Sequence, residues 1–140
     1  MVNHSWYTVH LRPLADDELL ARLEALVVQE RENLIEVIEH LMEIDGRDII
    51  FDKGYSSLYQ YCRIKLGYGE QAAYARIRAA RAAVDFDNVL PRLRAGQLHL
   101  EAIIRLYPYL TIENQTEILE RAQGATTRDI LGLVAELGGG

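Results

Sequence analysis

A chain of 140 residues, 49% of them apolar and 26% charged, is long enough to pack one core and too hydrophobic for a disordered segment. No apolar run approaches the roughly 20 residues that span a bilayer, and MVNHSWYTVHLRPL carries neither a basic start nor a cleavage site, so no membrane span or secretory signal is expected. Cys62 is the single cysteine, which excludes an internal disulfide and makes a cytoplasmic protein the simple expectation.

The net charge of −6 speaks against a polyanionic partner until its distribution is considered. Residues 1–62 hold 5 Lys/Arg against 12 Asp/Glu, residues 63–94 hold 7 against 3, and residues 95–140 hold 3 against 6. A basic middle between acidic ends is the asymmetry that local electrostatic steering requires.

Asp16 and Asp17 suit the start of a helix whose apolar residues then recur for almost thirty positions. Leu20, Leu23, Val27, Leu34, Val37, Leu41 and Ile44 fall on alternating three- and four-residue steps, with Glu30 in the one polar slot. Two readings stand side by side: a long helix, or a pair broken near Gln29–Asn33, packing into its own domain; or a helix that dimerises along this seam. Asp45-Gly46 is the expected stop. Residues 48–54 read as a connector anchored by Ile49, Ile50 and Phe51. Ser57 and Gln60 have capping-box spacing and open a helix to about Lys65, and Gly67 punctuates it. A second helix is expected from about Gly69 to Ala83, rich in Ala and Arg.

Phe86-Asp87 reads as the start of a short helix that holds Pro91 in its first turn and closes at Gly96. Further helices are expected over 98–106, over 112–122 behind a Thr111 cap, and over 130–137 behind a Thr126/Asp129 capping box. Trp6–Leu11 shows only weak strand alternation. The expectation is an all-α fold with a long N-terminal helix, or broken helix pair, and a central helix-turn-helix. Its divisions are a tail (1–14), a helical or dimerisation segment with its connector (15–54), a helix-turn-helix domain (55–137) and a glycine tail (138–140).

Catalytic equipment is not evident. His4, His10, His40 and His99 are scattered, a lone cysteine builds no thiolate cluster, and no phosphate-cradling loop or nucleophile elbow occurs. Glu36, Glu39 and His40 have the spacing of a di-metal bundle motif, yet no matching set occurs on a second segment, so a solvated acidic face is the expectation. No catalytic residue, metal, cofactor or small-molecule substrate is assigned.

The informative stretch is 55–83, a short helix, a glycine-containing turn and a second helix. Leu58, Tyr61, Cys62 and Leu66 suit the inner face of the first helix, and Ala73, Ile77 and Ala80 that of the second. Gln71, Tyr74, Arg78 and Arg81 are left toward solvent, with Arg76 at the flank. Gln and Arg reach base edges, and Arg and Lys hold phosphates. The expected partner is therefore double-stranded DNA, with Gln71, Tyr74 and Arg78 in the groove and Arg63, Lys65, Arg76, Arg81, Arg92 and Arg94 on phosphates. The alternative is a homodimerisation or protein-interaction module with no nucleic-acid role, and the seam Leu20–Ile44 as its working surface.

LGYGEQAAYARIRAARAA, LRAGQLHLEAIIRLYPYLT and ILERAQGATTRDILGLVAEL are similar in order and rhythm to the DNA-binding core of ParB-type partition proteins. With LLARLEALVVQERENLIEVIEHLMEID and GYSSLYQYC added, residues 15–136 resemble the N-terminal helical region of bacterial HNH endonucleases. The resemblance implies a targeting or assembly module. It also implies a nuclease part further on, with paired histidines and an asparagine around a metal, and none of the 140 residues here supplies that part. Gly69 stands where such proteins usually carry a serine-like cap.

Overall fold

The computed structural model describes residues 8–138. Seven α-helices follow one another: α1 (Asp16–Arg47), α2 (Leu58–Ile64), α3 (Glu70–Asp85), α4 (Val89–Arg94), α5 (Leu100–Leu106), α6 (Gln115–Ala122) and α7 (Thr127–Leu137). Short 3-10 turns lie at Phe51–Lys53 and Tyr107–Tyr109. The fold is all-α, and no strand occurs among the described residues. Residues 8–14 form successive turns, with Leu11 N–H on Thr8 O and Leu14 N–H on Leu11 O, rather than the weak strand pattern; Trp6 lies outside the described residues.

α1 runs unbroken through Gln29–Asn33. The Gln29 amide donates to Asn33 Oδ1 at 2.8 Å, one turn on, so these polar side chains bond to each other along the helix and leave its backbone ladder intact. The helix also passes through Gly46. The left-handed residue that ends it is Asp48, at φ 56°, a conformation that aspartate tolerates better than most residues. In the connector only Ile50 is buried; Ile49 and Phe51 are exposed.

The chain divides within α1 into two compact units, 1–33 and 34–140. This boundary splits the seam. In the second unit Leu41 is buried with Ile35 and Ile38, while Leu34, Val37 and Ile44 pack against the same core. In the first unit Leu20, Leu23 and Val27 are exposed.

The second unit is organised by α3, which packs on α2, α4 and α5; α5 in turn packs on α7, and α7 on α6. Ala73, Ala79, Ala80, Ala82 and Ala83 are all buried. Small side chains over so much of one helix let its neighbours approach closely. α4 starts at Val89, later than Phe86-Asp87, and the Asn88 N–H ahead of it donates to the side-chain oxygen of the buried Gln115 at 3.2 Å. Thr111 and Asn114 exchange reciprocal side-chain bonds with each other's N–H, at 2.7 and 3.0 Å, and α6 begins only after them. Thr126 and Asp129 form the capping box of α7.

Candidate nucleic-acid interface

The helix pair α2–α3 is joined by residues 65–69. Ser57 caps α2, its hydroxyl accepting the Gln60 N–H at 3.0 Å. Gln60 reaches back one residue further than a capping box requires, its Oε1 accepting from Ser56 N–H at 2.6 Å. At the other end of α2, Leu66 N–H bonds to Tyr61 O and Tyr68 N–H to Cys62 O, with Gly67 at φ 78° between them. A Cβ at Gly67 would meet nothing within 4 Å, so the demand for glycine is one of backbone conformation alone. Gly69 precedes α3 without a side-chain cap bond, as expected of a residue lacking a side chain.

Arg63 closes this turn. Its Nε–H donates to Tyr68 O at 3.0 Å, one Nη lies 3.3 Å from the Tyr59 hydroxyl, and the same group pairs with Glu70 at 3.3 Å. The Tyr59 contact, with Glu70 beside it, holds the guanidinium pKa above its ordinary value. Arg76 lies over the face of Tyr68, 4.7 Å from the ring centroid, and donates to Ala72 O at 3.1 Å. Two arginines expected on phosphates thus hold Tyr68, one through its carbonyl and one through its ring.

The remaining cations are distributed over several neighbours. Arg78 sits 4.7 Å from the centroid of Tyr107 and 5.7 Å from that of Tyr74. Arg81 pairs with Asp45 of α1 at 3.3 Å and Arg94 with Glu39 of α1 at 3.1 Å. Arg92, its side chain only 14% exposed, meets Glu120 at 3.7 Å and Gln123 at 3.4 Å, joining α4 to α6 and the residue after it. Lys65 is exposed, with no ion-pair partner among the described residues.

The three positions expected on base edges share a face of α3 with Arg81, which is expected on phosphate. Gln71, Tyr74, Arg78 and Arg81 recur at steps of three and four along α3. Gln71 and Tyr74 are exposed, Arg78 is half-buried beneath Tyr74, and Arg81 is exposed beside Asp45. Arg92 and Arg94 diverge, one toward α6 and the other toward α1.

Sequence reasoning placed Tyr74 in the groove without its stacking on Arg78, and it missed Tyr68 and Tyr107. Tyr74 and Arg78, four apart on one helix, had the spacing that announces their stacking. Tyr107 follows Arg78 by 29 residues and Tyr68 comes from the turn, so only the fold brings them to their arginines. The Tyr107 hydroxyl donates to Asp85, and burial first, then this bond, raises its pKa above the ordinary tyrosine value. Cys62 is fully buried, and desolvation raises its thiol pKa despite the nearby Arg76 charge.

Among the described residues, no group of three His, Cys, Asp or Glu is arranged to hold a metal ion, and no helix is long and apolar enough to cross a membrane. The ring of His40 contacts the Glu36 carbonyl at 2.6 Å on an exposed turn of α1. No protein-family model, curated protein or solved structure matches the chain.

Proposed function

We propose that the chain is a helix-turn-helix module that binds double-stranded DNA in the cytoplasm, with the exposed face of α3 entering the groove. The observation that carries this reading is the arrangement of that face. Gln71 and Tyr74 are open to solvent, and Arg78 is braced between Tyr74 and Tyr107. A guanidinium already held on aromatic rings loses less freedom on meeting a base edge than one on a free side chain.

Phosphate contact falls to Lys65, Arg81 and Arg94. The latter two are in exposed ion pairs with Asp45 and Glu39. Such pairs are worth about 0–1 kcal/mol in water, so a phosphate can take the place of either carboxylate. Arg63 and Arg76 serve the turn, and Arg92 the α4–α6 junction. The proposal assigns this chain binding alone, and bond cleavage to none of its residues.

With about 2–4 phosphates neutralised per chain, log K against log salt has a slope of roughly −2 to −4. Fluorescence anisotropy with mixed-sequence duplex DNA measures it. Lys65→Ala should weaken binding to all sequences alike and lower the slope by about one unit. Gln71→Ala should instead flatten sequence preference, at roughly 1–3 kcal/mol per lost base contact. Equal binding of duplex RNA would place recognition in the backbone rather than in the groove. No binding at low salt would reject the reading and leave the helix pair as architecture for a protein-interaction module.

A further inference from the structure

Of the three arginines on α3, Arg76 donates to Ala72 O and Arg81 to Asp45, but Arg78 meets no acceptor among the described residues. Its guanidinium lies instead on two rings, those of Tyr107 and Tyr74. Nε is buried without a hydrogen-bond partner, while both Nη groups keep contact with solvent. A rotamer in open water would give every N–H a partner, so this pose is held by the rings and not by an acceptor. The result is a planar, charged donor fork whose outer edge faces solvent.

Tyr107 is itself fixed from three sides. It follows the fully buried Leu106 at the end of α5, and α5 packs on α3. Its hydroxyl donates to Asp85, on the same helix as Arg78 and about two turns further on. Its ring meets Phe86 edge-on, with centroids 6.2 Å apart. Asp85 therefore holds the phenol and not the guanidinium, since Arg78 forms no ion pair among the described residues. Tyr107 comes from outside the helix pair, yet its centroid is the nearer of the two, at 4.7 Å against 5.7 Å for Tyr74.

We propose that Arg78 reads a guanine in the major groove and that Tyr107, anchored by Asp85, is the positioning residue that sets this specificity. The proposal rests on the DNA reading above and adds to it the base and the residue behind the contact. Guanine presents two adjacent acceptors in the major groove, O6 and N7, and no other base does. The two Nη groups of one guanidinium match that pair. Arg78 shares its face of α3 with Gln71 and Tyr74, which sets it at base edges and not at the flanking phosphates. A guanidinium that swings freely serves phosphate as well as a base. Held flat on Tyr107 it keeps one orientation, so the geometry of the fork, more than its charge, selects the partner.

The test uses the whole chain and duplexes selected from a random pool, with affinities for the selected site and for random duplex read by fluorescence anisotropy. 7-Deazaguanine, which lacks the N7 acceptor, replaces each guanine of the site in turn. One such replacement should weaken the wild type about fivefold to tenfold and leave Arg78→Lys unaffected, because lysine keeps the charge but not the fork. Tyr107→Leu should lower the preference for selected over random duplex about tenfold, with random-duplex affinity and salt slope within about twofold of the wild type. Tyr107→Phe keeps the ring, loses only the Asp85 anchor, and should reduce the preference about threefold. In the protein without DNA, the Arg78 Nε–H should exchange with water about tenfold faster in Tyr107→Leu than in the wild type. Full specificity in a folded Tyr107→Leu variant, equal Nε–H exchange in the two proteins, or tolerance of 7-deazaguanine at every guanine would overturn the proposal and leave the DNA reading standing. A wild type that binds no duplex at low salt would overturn both.

Discussion

Arg63 donates its Nε–H to the backbone carbonyl of Tyr68 at 3.0 Å, across the turn between α2 and α3. The donor is in the last turn of α2 and the acceptor two residues before α3, so this bond sets where the second helix begins. Its partner in the same turn is Gly67, whose φ of 78° only glycine adopts without strain.

The turn yields the first prediction. Gly67→Ala should destabilise the protein by about 1–2 kcal/mol, the cost of a left-handed conformation for an L side chain. Gly67→Asn should cost less, since asparagine visits that region more readily. Arg63→Ala should lower stability and also loosen the start of α3. Urea midpoints give the stabilities, and amide hydrogen exchange at residues 69–74 reports the loosening. Unchanged exchange there in the Arg63 variant would limit this side chain to a surface role.

The divided seam yields the second. Leu41 is 2% exposed, whereas Leu23 is 57% exposed. Leu41→Ala should cost about 2–5 kcal/mol, the range for truncating a leucine inside a packed core. Leu23→Ala should change the stability of the isolated chain by less than about 0.5 kcal/mol, as for other exposed positions. Denaturant melts of both variants make the comparison. Equal losses at the two positions would show that the seam belongs to a single core.

The third prediction concerns pH and the bond from Tyr107 to Asp85. The folded chain holds the Tyr107 phenol above its ordinary pKa, through burial first and the hydrogen bond second. The unfolded chain therefore loses this proton more readily than the folded one. Stability from the group is complete below the ordinary tyrosine range and is lost as pH rises through the raised value. Tyr107→Phe should accordingly cost about 0.5 kcal/mol near neutrality, with the difference shrinking in strongly alkaline solution. Urea melts of both proteins across that range provide the check. A difference that grew with pH would contradict the assignment.

Much of the architecture was legible before any coordinates, because it rests on local chemistry. Thr126 and Asp129 cap α7 since both partners lie within one turn of each other, and Gly67 and Gly96 sit at positive φ where the helical pattern stops. Element order, the all-α class and the helix-turn-helix plan follow from such short-range rules. Boundaries failed where a side chain from elsewhere took part. Gln115 meets the backbone ahead of α4 from 27 residues away, and no window of sequence contains both partners.

The seam shows the same limit. Its periodicity is unbroken in the sequence from Leu20 to Ile44, and period alone cannot say what covers each residue. Tertiary packing decided that Leu41 is core and Leu23 is surface, because the second unit folds a core around Leu41 whereas the first unit leaves Leu23 open. The basic residues of 63–94 give that segment a local excess of positive charge. Their availability was decided by the fold, which brings Asp45, Glu39, Glu120 and Tyr107 to four of them from distant parts of the chain. Composition determines how much charge a segment carries; whether that charge faces a partner or a neighbouring side chain depends on contacts that form only when remote segments meet.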